Sequence, residues 1–356
     1  MKILIIGGTR FLGKYITEAL IKSNQDVTLL NRGTARNSFP YFEDVEWLVC
    51  DRHNVDKFKS LFKDRKFDII IDTCAYMPEE VEIVVEVFRD RIAKYIFCSS
   101  MAVAQIQEFD ERLRLPIRNR RLFPVGLPNS YAHNKSLIEE YLVEQFDKNG
   151  FPFVSLRPTE INGPGEVREW YYIERIKNGR TKLIIPGHGE NLVQPIYIED
   201  VIQAFLLAIV KDKAIGECYN VAGDEVISLN NYIRIMAEEL GVKVNAINIP
   251  YNVFKTLVNT KYYFPFCNKN SFIVNTAKIK ADLGYQPEVG VREGIQKTLA
   301  QWQDNYNRRV NPYNLSGSYE FISYDLEDLF ISVWEKVMDK SKIQLRHELL
   351  EKGMLI

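Results

Sequence analysis

From its second residue the chain alternates short, almost wholly apolar runs with stretches in which apolar side chains return every three or four positions. The runs are "KILIIG", "DVTLLN", "VEWLVC", "FDIIIDTCA", "YIFCSS" and "FPFVSLRP". A strand wetted on one face alternates apolar and polar residues. Continuous apolar runs instead predict strands covered on both faces, as in a parallel sheet. The helical stretches between them, the first running from Gly13, supply the crossovers. The expected fold class is α/β, a doubly wound parallel sheet.

The pattern breaks near Asn162, where "GPGEVREWYYIERIKNG" reads as loop and helix, and strand-like "LVQPIYIED" and "CYNVAG" return later. This interleaving predicts a discontinuous organisation: a main domain over 1–161, completed by about 190–225, and a smaller substrate-binding subdomain from 162–189 and 226–310. Past Val310 a Pro, Gly and Asn-rich link, "NPYNLSGSY", leads into a helical extension over 311–356. In it Leu326, Leu329, Phe330, Val333, Trp334 and Val337 recur at helical spacing and define one apolar face. That face is expected to pack back on the chain, with a subunit contact as the alternative.

Composition narrows the function classes. A length of 356 residues, 46% of them hydrophobic, supports a sizeable core. A net charge of −1 and a pI near 6.5 give no global pull toward nucleic acid or an anionic membrane. No apolar run is long enough to span a bilayer, and "MKILII" passes straight into a glycine turn, without the apolar region of a signal peptide. The 5 cysteines are odd in number and scattered, and the 4 histidines lack metal-ligand spacing. The expectation is a cytoplasmic protein with reduced thiols and no metal, acting on a small molecule.

The first candidate chemistry is "GGTRFLG", Gly7 to Gly13, between the first strand and the first helix. Gly7 and Gly8 permit a tight turn, Gly13 permits close packing of helix on strand, and the helix N-terminus offers N–H groups to a pyrophosphate. Thr9, Arg10, Phe11 and Leu12 complete the candidate cofactor loop. The second strand ends at Asn31 and Arg32, where an NAD-specific site places a carboxylate for the ribose hydroxyls. With no carboxylate there, Arg10 and Arg32 are placed to take a 2′-phosphate, so NADP(H) is expected over NAD(H). Asp51, followed by Arg52 after the third strand, is a candidate for the adenine end or else a helix cap.

The second is "YAHNK", in which Tyr131 and Lys135 lie four apart and share a helix face. An ammonium beside a phenol favours the phenolate and makes Tyr131 a usable general acid or base. Ser99 and Ser100 end an apolar strand at the sheet's carboxyl edge, where ligands sit in such folds. A hydroxyl there can hold the substrate oxygen.

Together "GGTRFLG", "FCSSMAV", "YAHNK", "LRPTEINGPG", "QPIYIEDV", "YNVAGDEVISL" and "LGYQPEVGVREGI" resemble, in order, the extended short-chain dehydrogenase/reductase superfamily of the NAD-dependent epimerase/dehydratase type. The resemblance runs from Met1 to about Gln303. It implies a Rossmann domain, a homodimer, and a catalytic set of Ser100, Tyr131 and Lys135, with Lys135 also on the nicotinamide ribose. It further implies that Cys74, Ala75 and Tyr76 flank the cofactor and that Pro158 to Ile161 lie near the carboxamide.

Three departures shape the reading. Sugar-nucleotide dehydratases of this type carry an Asp-Glu pair where Met101 and Ala102 stand here, which argues against that dehydration. Glu160 and Gln194 stand where many relatives place an Asn and an Arg on a substrate diphosphate. Arg168 or the loop "RLRLPIRNRR" is placed to compensate. Together Ser100, Met101, Glu160, Arg168 and Gln194 are the substrate candidates. The expected activity is NAD(P)-dependent oxidoreduction or epimerisation at a hydroxyl or carbonyl of a small polar substrate, a sugar or nucleotide sugar among them. The loop variant also resembles chloroplast stem-loop-binding proteins. The alternative is therefore a non-catalytic dinucleotide sensor or RNA-binding protein, although the sequence lacks a sustained basic and aromatic pattern.

Overall fold

The first apolar run forms β1 (Lys2–Ile6), whose side chains divide between the two faces of the sheet by the two-residue period of a strand. Ile3 and Ile5 pack on one face, Leu4 and Ile6 on the other. The computed structural model describes residues 1–34, 39–103, 131–253, 265–266, 271, 273–302, 309–310 and 319–351. The loop "RLRLPIRNRR" lies outside the described residues.

Around β1 the sheet grows through β2 (Asp26–Asn31), β3 (Glu46–Val49), β4 (Ile69–Asp72), β5 (Lys94–Cys98), β6 (Phe153–Pro158) and β11 (Glu217–Val221). The order β11-β6-β5-β4-β1-β2-β3 is parallel throughout. The direction of winding reverses between β1 and β4, which opens a crevice at the carboxyl ends of these strands.

Helices cover both faces, which is why the strands read as continuous apolar runs. On one face lie α1 (Phe11–Lys22) and α6 (Ile198–Val210), through Leu12, Ile16, Leu20, Val201, Ala204 and Phe205. On the other lie α2 (Val55–Phe62), α3 (Glu79–Phe88) and α4 (Tyr131–Asn149), through Phe58, Phe62, Val84, Phe88, Ile138 and Leu142.

A second core joins α5 (Val167–Lys177) and α7 (Leu229–Glu239) to a parallel pair of β8 (Lys182–Pro186) and β13 (Asn245–Ile249). Two short pairs stitch the halves: β7 (Ile161–Asn162) with β10 (Ile196–Tyr197), and β9 (Leu192–Val193) with β12 (Ile227–Ser228).

The terminal helix, Tyr324–Glu351, departs from the expected apolar face. Ile331 is buried and Phe330 and Trp334 pack on the second core, yet Leu326, Leu329, Val333 and Val337 point to solvent. A buried ion pair sets this rotation. Arg175 of α5 and Glu327 are both within 1% of full burial, and Arg175 Nε donates to both Glu327 oxygens at 3.2 and 3.1 Å. Turning the helix to bury Leu329 would expose Glu327 and strand Arg175 in the core.

A second buried pair fixes α4. Its buried face is largely polar, with Asn134, Lys135, Ser136 and Glu139 turned inward. Glu139 accepts from Ser155 Oγ at 2.6 Å and from Arg157 Nε at 2.9 Å, both on β6. Burial alone would raise the Glu139 carboxyl; the Arg157 charge and the bonds from Arg157 and Ser155 turn the net shift downward. Its contribution is therefore present above the ordinary carboxylate range and lost as pH falls through the lowered value.

Replacing Arg157 with Met should leave that carboxylate buried and alone, at a cost of about 3–5 kcal/mol in chemical denaturation. Adding Glu139→Gln should recover much of the loss. A single variant as stable as the parent would show that the pair does not hold α4.

Candidate active site

The loop after β1 is shaped by contacts that admit no side chain. A Cβ on Gly7, at φ 103°, would lie 2.4 Å from Thr73 Oγ1, and one on Gly13 would lie 2.8 Å from the Gly8 backbone N. Thr17 Oγ1 stands between the Gly8 and Gly13 carbonyls, at 3.0 and 2.9 Å, and ties the loop to α1. Thr17 escaped the sequence reading, since a helical Thr one turn past Gly13 carries no motif. Arg10 precedes α1 without a side-chain cap bond, and no acidic residue lies in the first turn. An uncapped, acid-free helix start beside a glycine cradle fits a dinucleotide pyrophosphate.

Thr9 and Phe11 are half-buried beside this loop, whereas Leu12 turns into the core, and Tyr15 OH donates to Pro164 O at 3.2 Å. Phe11 comes within 3.8 Å of where a Gly165 Cβ would stand, so the 163–165 loop lies against the start of α1.

At the end of β2, the Asn31 amide donates to Gly7 O at 3.3 Å and accepts from Gly33 N at 2.8 Å, bracing the loop. Arg10 and Arg32 are both exposed. The Asp51 carboxyl is held below its ordinary value chiefly by the His53 backbone N–H, with Arg32 adding to the shift. Arg52 does not join this group. It turns into the protein, 7% exposed, and donates to Asp72 at 2.9 Å; Tyr95 OH donates to the same oxygen at 3.0 Å. A buried carboxylate at the end of β4 holds this guanidinium inside the protein.

Lys135, 2% exposed, is buried beside the carboxyl ends of β4 and β5. Its ammonium donates to Ala75 O and Cys98 O, both at 2.7 Å, bridging the ends of β4 and β5. Around it lie the rings of Phe97, Tyr76 and Tyr131, with centroids at 4.6, 4.9 and 5.7 Å. Burial lowers the Lys135 ammonium below its usual value. Tyr131 begins α4, and its ring lies 6.2 Å from that of Tyr76. Ser100 follows β5, and its Oγ accepts from Ala102 N at 3.2 Å. Met101 and Ala102 are buried in the short turn that follows. Burial pushes the thiols of Cys74 and Cys98 up to about 12 and about 11, so neither is a thiolate at neutral pH.

Beyond Pro158, which ends β6, the wall of the crevice is acidic. Glu160 carries a buried Oε2 with no hydrogen-bond partner, and burial raises its carboxyl to about 6 against the pull of Arg168. Arg168 Nε donates to Glu166 at 2.7 Å and Nη2 to Ile161 O at 3.2 Å. The Gln194 amide is engaged at both ends, donating to Gly223 O at 2.8 Å and accepting from Val274 N at 2.9 Å. Arg168 and Gln194 are thus turned to the protein's own groups, and neither stands ready as an anion anchor. Glu169 accepts from Tyr232 OH and from Gly163 N, and burial raises its carboxyl to about 7. Among the described residues no cluster of three or more His, Cys, Asp or Glu could hold a metal, and no helix is long and apolar enough to cross a membrane.

The profile of the NAD dependent epimerase/dehydratase family matches residues 3–222. Chloroplast stem-loop binding protein of 41 kDa b from Arabidopsis thaliana is 29% identical over 323 residues, 86% of this chain and 78% of that one. Human dTDP-D-glucose 4,6-dehydratase is 25% identical over 347 residues, covering 87% and 92% of the two chains. The structure of Thermus thermophilus UDP-glucose 4-epimerase, in complex with NAD, superposes with a TM-score of 0.64 at 21% identity, over 85% of this chain and 98% of that one.

A carboxyl raised to about 7 binds its proton more tightly in the folded state. The stability it confers is full below the ordinary carboxylate range and is lost as pH rises through 7. Between pH 5 and pH 8 the wild-type protein should therefore lose on the order of 1–3 kcal/mol relative to Glu169→Gln. Parallel melting-temperature profiles for the two would show that Glu169 does not titrate there.

Proposed function

Because the chain belongs to the NAD-dependent epimerase/dehydratase family, we propose that it moves a hydride between a nicotinamide dinucleotide and a hydroxyl-bearing or carbonyl carbon of a small polar substrate. Tyr131 is the general acid or base, Lys135 its electrostatic partner and Ser100 the group that orients the substrate oxygen. The observation that carries this reading is Lys135: a buried ammonium held by two carbonyls, on the helix face of Tyr131, above the crevice into which the glycine loop opens.

The loop from Gly7 to Gly13 would hold the pyrophosphate, with Cys74, Ala75 and Tyr76 along one flank of the dinucleotide and Pro158 along the other. The bound nicotinamide supplies the hydride acceptor or donor. Tyr131 takes the proton from the substrate hydroxyl as the C–H bond gives up its hydride, and returns it in the reverse sense. Fixed positive charge on Lys135 stabilises the phenolic oxygen as it becomes negative, without reorganisation at the moment of transfer. Epimerisation follows if the hydride returns to the same substrate on the opposite face; net reduction or oxidation follows if the dinucleotide leaves.

The substrate reading is narrower than the family's range. Met101 and Ala102 bring no acid or base to the position after Ser100, which supports redox or epimerase chemistry over dehydration. Glu160 repels a diphosphate on its side of the crevice, while Arg168 is neutralised by Glu166. A sugar or polyol held through hydroxyls suits this wall better than a nucleotide sugar. For the dinucleotide, exposed Arg10 and Arg32 with the uncharged Asn31 favour NADP(H). The relative named for stem-loop binding supports a second reading, RNA binding without turnover.

Tyr131→Phe should lower kcat by about 100-fold to 10,000-fold with cofactor affinity unchanged. Full turnover in that variant would end the assignment. Cofactor released on denaturing the purified protein, followed by titration with each dinucleotide, tests the rest. NADP(H) should bind more tightly, and Arg10→Ala with Arg32→Ala should erase the difference. Should neither dinucleotide bind while RNA binds in a salt-dependent way, the second reading replaces the first.

A further inference from the structure

Between the end of β4 at Asp72 and the start of α3 at Glu79 the backbone belongs to neither strand nor helix. That turn nevertheless carries two of the groups packed on Lys135: the Ala75 carbonyl at 2.7 Å and the Tyr76 ring at 4.9 Å. A buried turn with no ladder to pair its N–H groups needs side chains to take them. Two carboxylates do so, one from each end. Asp72 Oδ1 accepts from Cys74 N at 3.1 Å, and a single Glu80 oxygen, Oε2, accepts from both Tyr76 N and Met77 N, at 2.6 and 2.9 Å. Arg52 joins the two ends, with Nη2 donating to Asp72 at 2.9 Å and Nη1 to the Glu80 carbonyl at 3.4 Å. Asn134, next to Lys135 on α4, sets its amide 3.0 Å from Met77 Sδ.

Helix capping does not account for the Glu80 contact. A cap takes N–H groups of the helix's own first turn. Pro78 is the N-cap of α3, and the N–H groups that Glu80 takes lie before it. Glu80 is 8% exposed, and its other oxygen faces the exposed His53 ring at 3.5 Å.

We propose that Glu80 is a positioning residue for the proton transfer: it holds the 74–77 turn in the shape that keeps the Ala75 carbonyl and the Tyr76 ring against Lys135, and through Lys135 it sets the acidity of Tyr131. The proposal rests on the catalytic reading of Tyr131 and Lys135. The sign of the effect separates position from charge. A carboxylate near the phenol opposes the phenolate, so losing the charge alone makes Tyr131 more acidic. Losing the turn frees the ammonium to move away from the phenol and makes it less acidic. A glutamine at this position keeps an oxygen for the two N–H groups and gives up the charge, whereas an alanine gives up both.

Carbon-13 at the tyrosine Cζ reports each phenol by NMR, and the resonance missing from Tyr131→Phe identifies Tyr131 among the 19 tyrosines. In the wild-type chain Tyr131 should titrate below the ordinary value of about 10. Glu80→Ala should move that titration up by about one pH unit, and Glu80→Gln should leave it in place or move it slightly down. If Glu80→Ala does not fold, Glu80→Asp, one carbon too short to reach the turn, takes its place with the same expected rise. A Tyr131 titration that stays or falls in the alanine or aspartate variant, or rises as far in Glu80→Gln, would overturn the proposal and leave the catalytic reading standing. An ordinary phenol at Tyr131 in the wild-type chain would end that reading and the proposal with it.

Discussion

The buried pair between Glu139 and Arg157 is the constraint on which the crevice depends. Most helices find their place on a sheet by the fit of apolar side chains, and small sliding costs little. The inward face of α4 adds Asn134, Lys135, Ser136 and Glu139 to the apolar Ile138 and Leu142, so its register is set by charge against charge as well as by apolar fit. Tyr131, Lys135 and Glu139 follow at intervals of four, and locking the last locks the others. On the far side of Lys135, Arg52, Asp72 and Tyr95 form a second buried polar group under the ends of β4 and β5. The ammonium is thus held between two networks that leave it little freedom, as the role proposed for it beside Tyr131 requires.

The main sheet was legible because covered strands need apolar residues on both sides. The glycine loop was legible for a related reason: Gly7 and Gly13 stand where no other residue fits. Like side chains just past strand ends were harder to tell apart. Arg10 and Arg52 both sit beside strand ends, yet one is exposed and the other turned into the core, and the difference lies in Asp72, a partner 20 residues away. Gln194 likewise read as a substrate residue, and its amide is taken up by the backbone at Gly223 and Val274. The terminal helix showed its apolar periodicity, but its rotation is decided by Arg175, 152 residues distant from Glu327 in sequence.

The acidic wall could be seen in "TEINGPGEVRE" only as a list of charges. Folding separates their roles. Glu166 caps α5 by accepting from Arg168 N and Glu169 N, and holds the Arg168 side chain. Glu169 is closed off beneath Tyr232, and of these three carboxylates Glu160 alone keeps an oxygen with no partner. One short segment thereby ends a strand, starts a helix, fastens the loop over α1 and lines the crevice.

The tie between Arg175 and Glu327 also governs when the second core can close during synthesis. A guanidinium 1% exposed is tolerable in that core only with its carboxylate present. Every other part of α5, α7, β8 and β13 leaves the ribosome before Glu327 does. The main sheet, complete at β11, can form well ahead of this point. The second core must wait for a carboxylate 152 residues downstream of its guanidinium, holding the acidic wall loosely until that residue arrives.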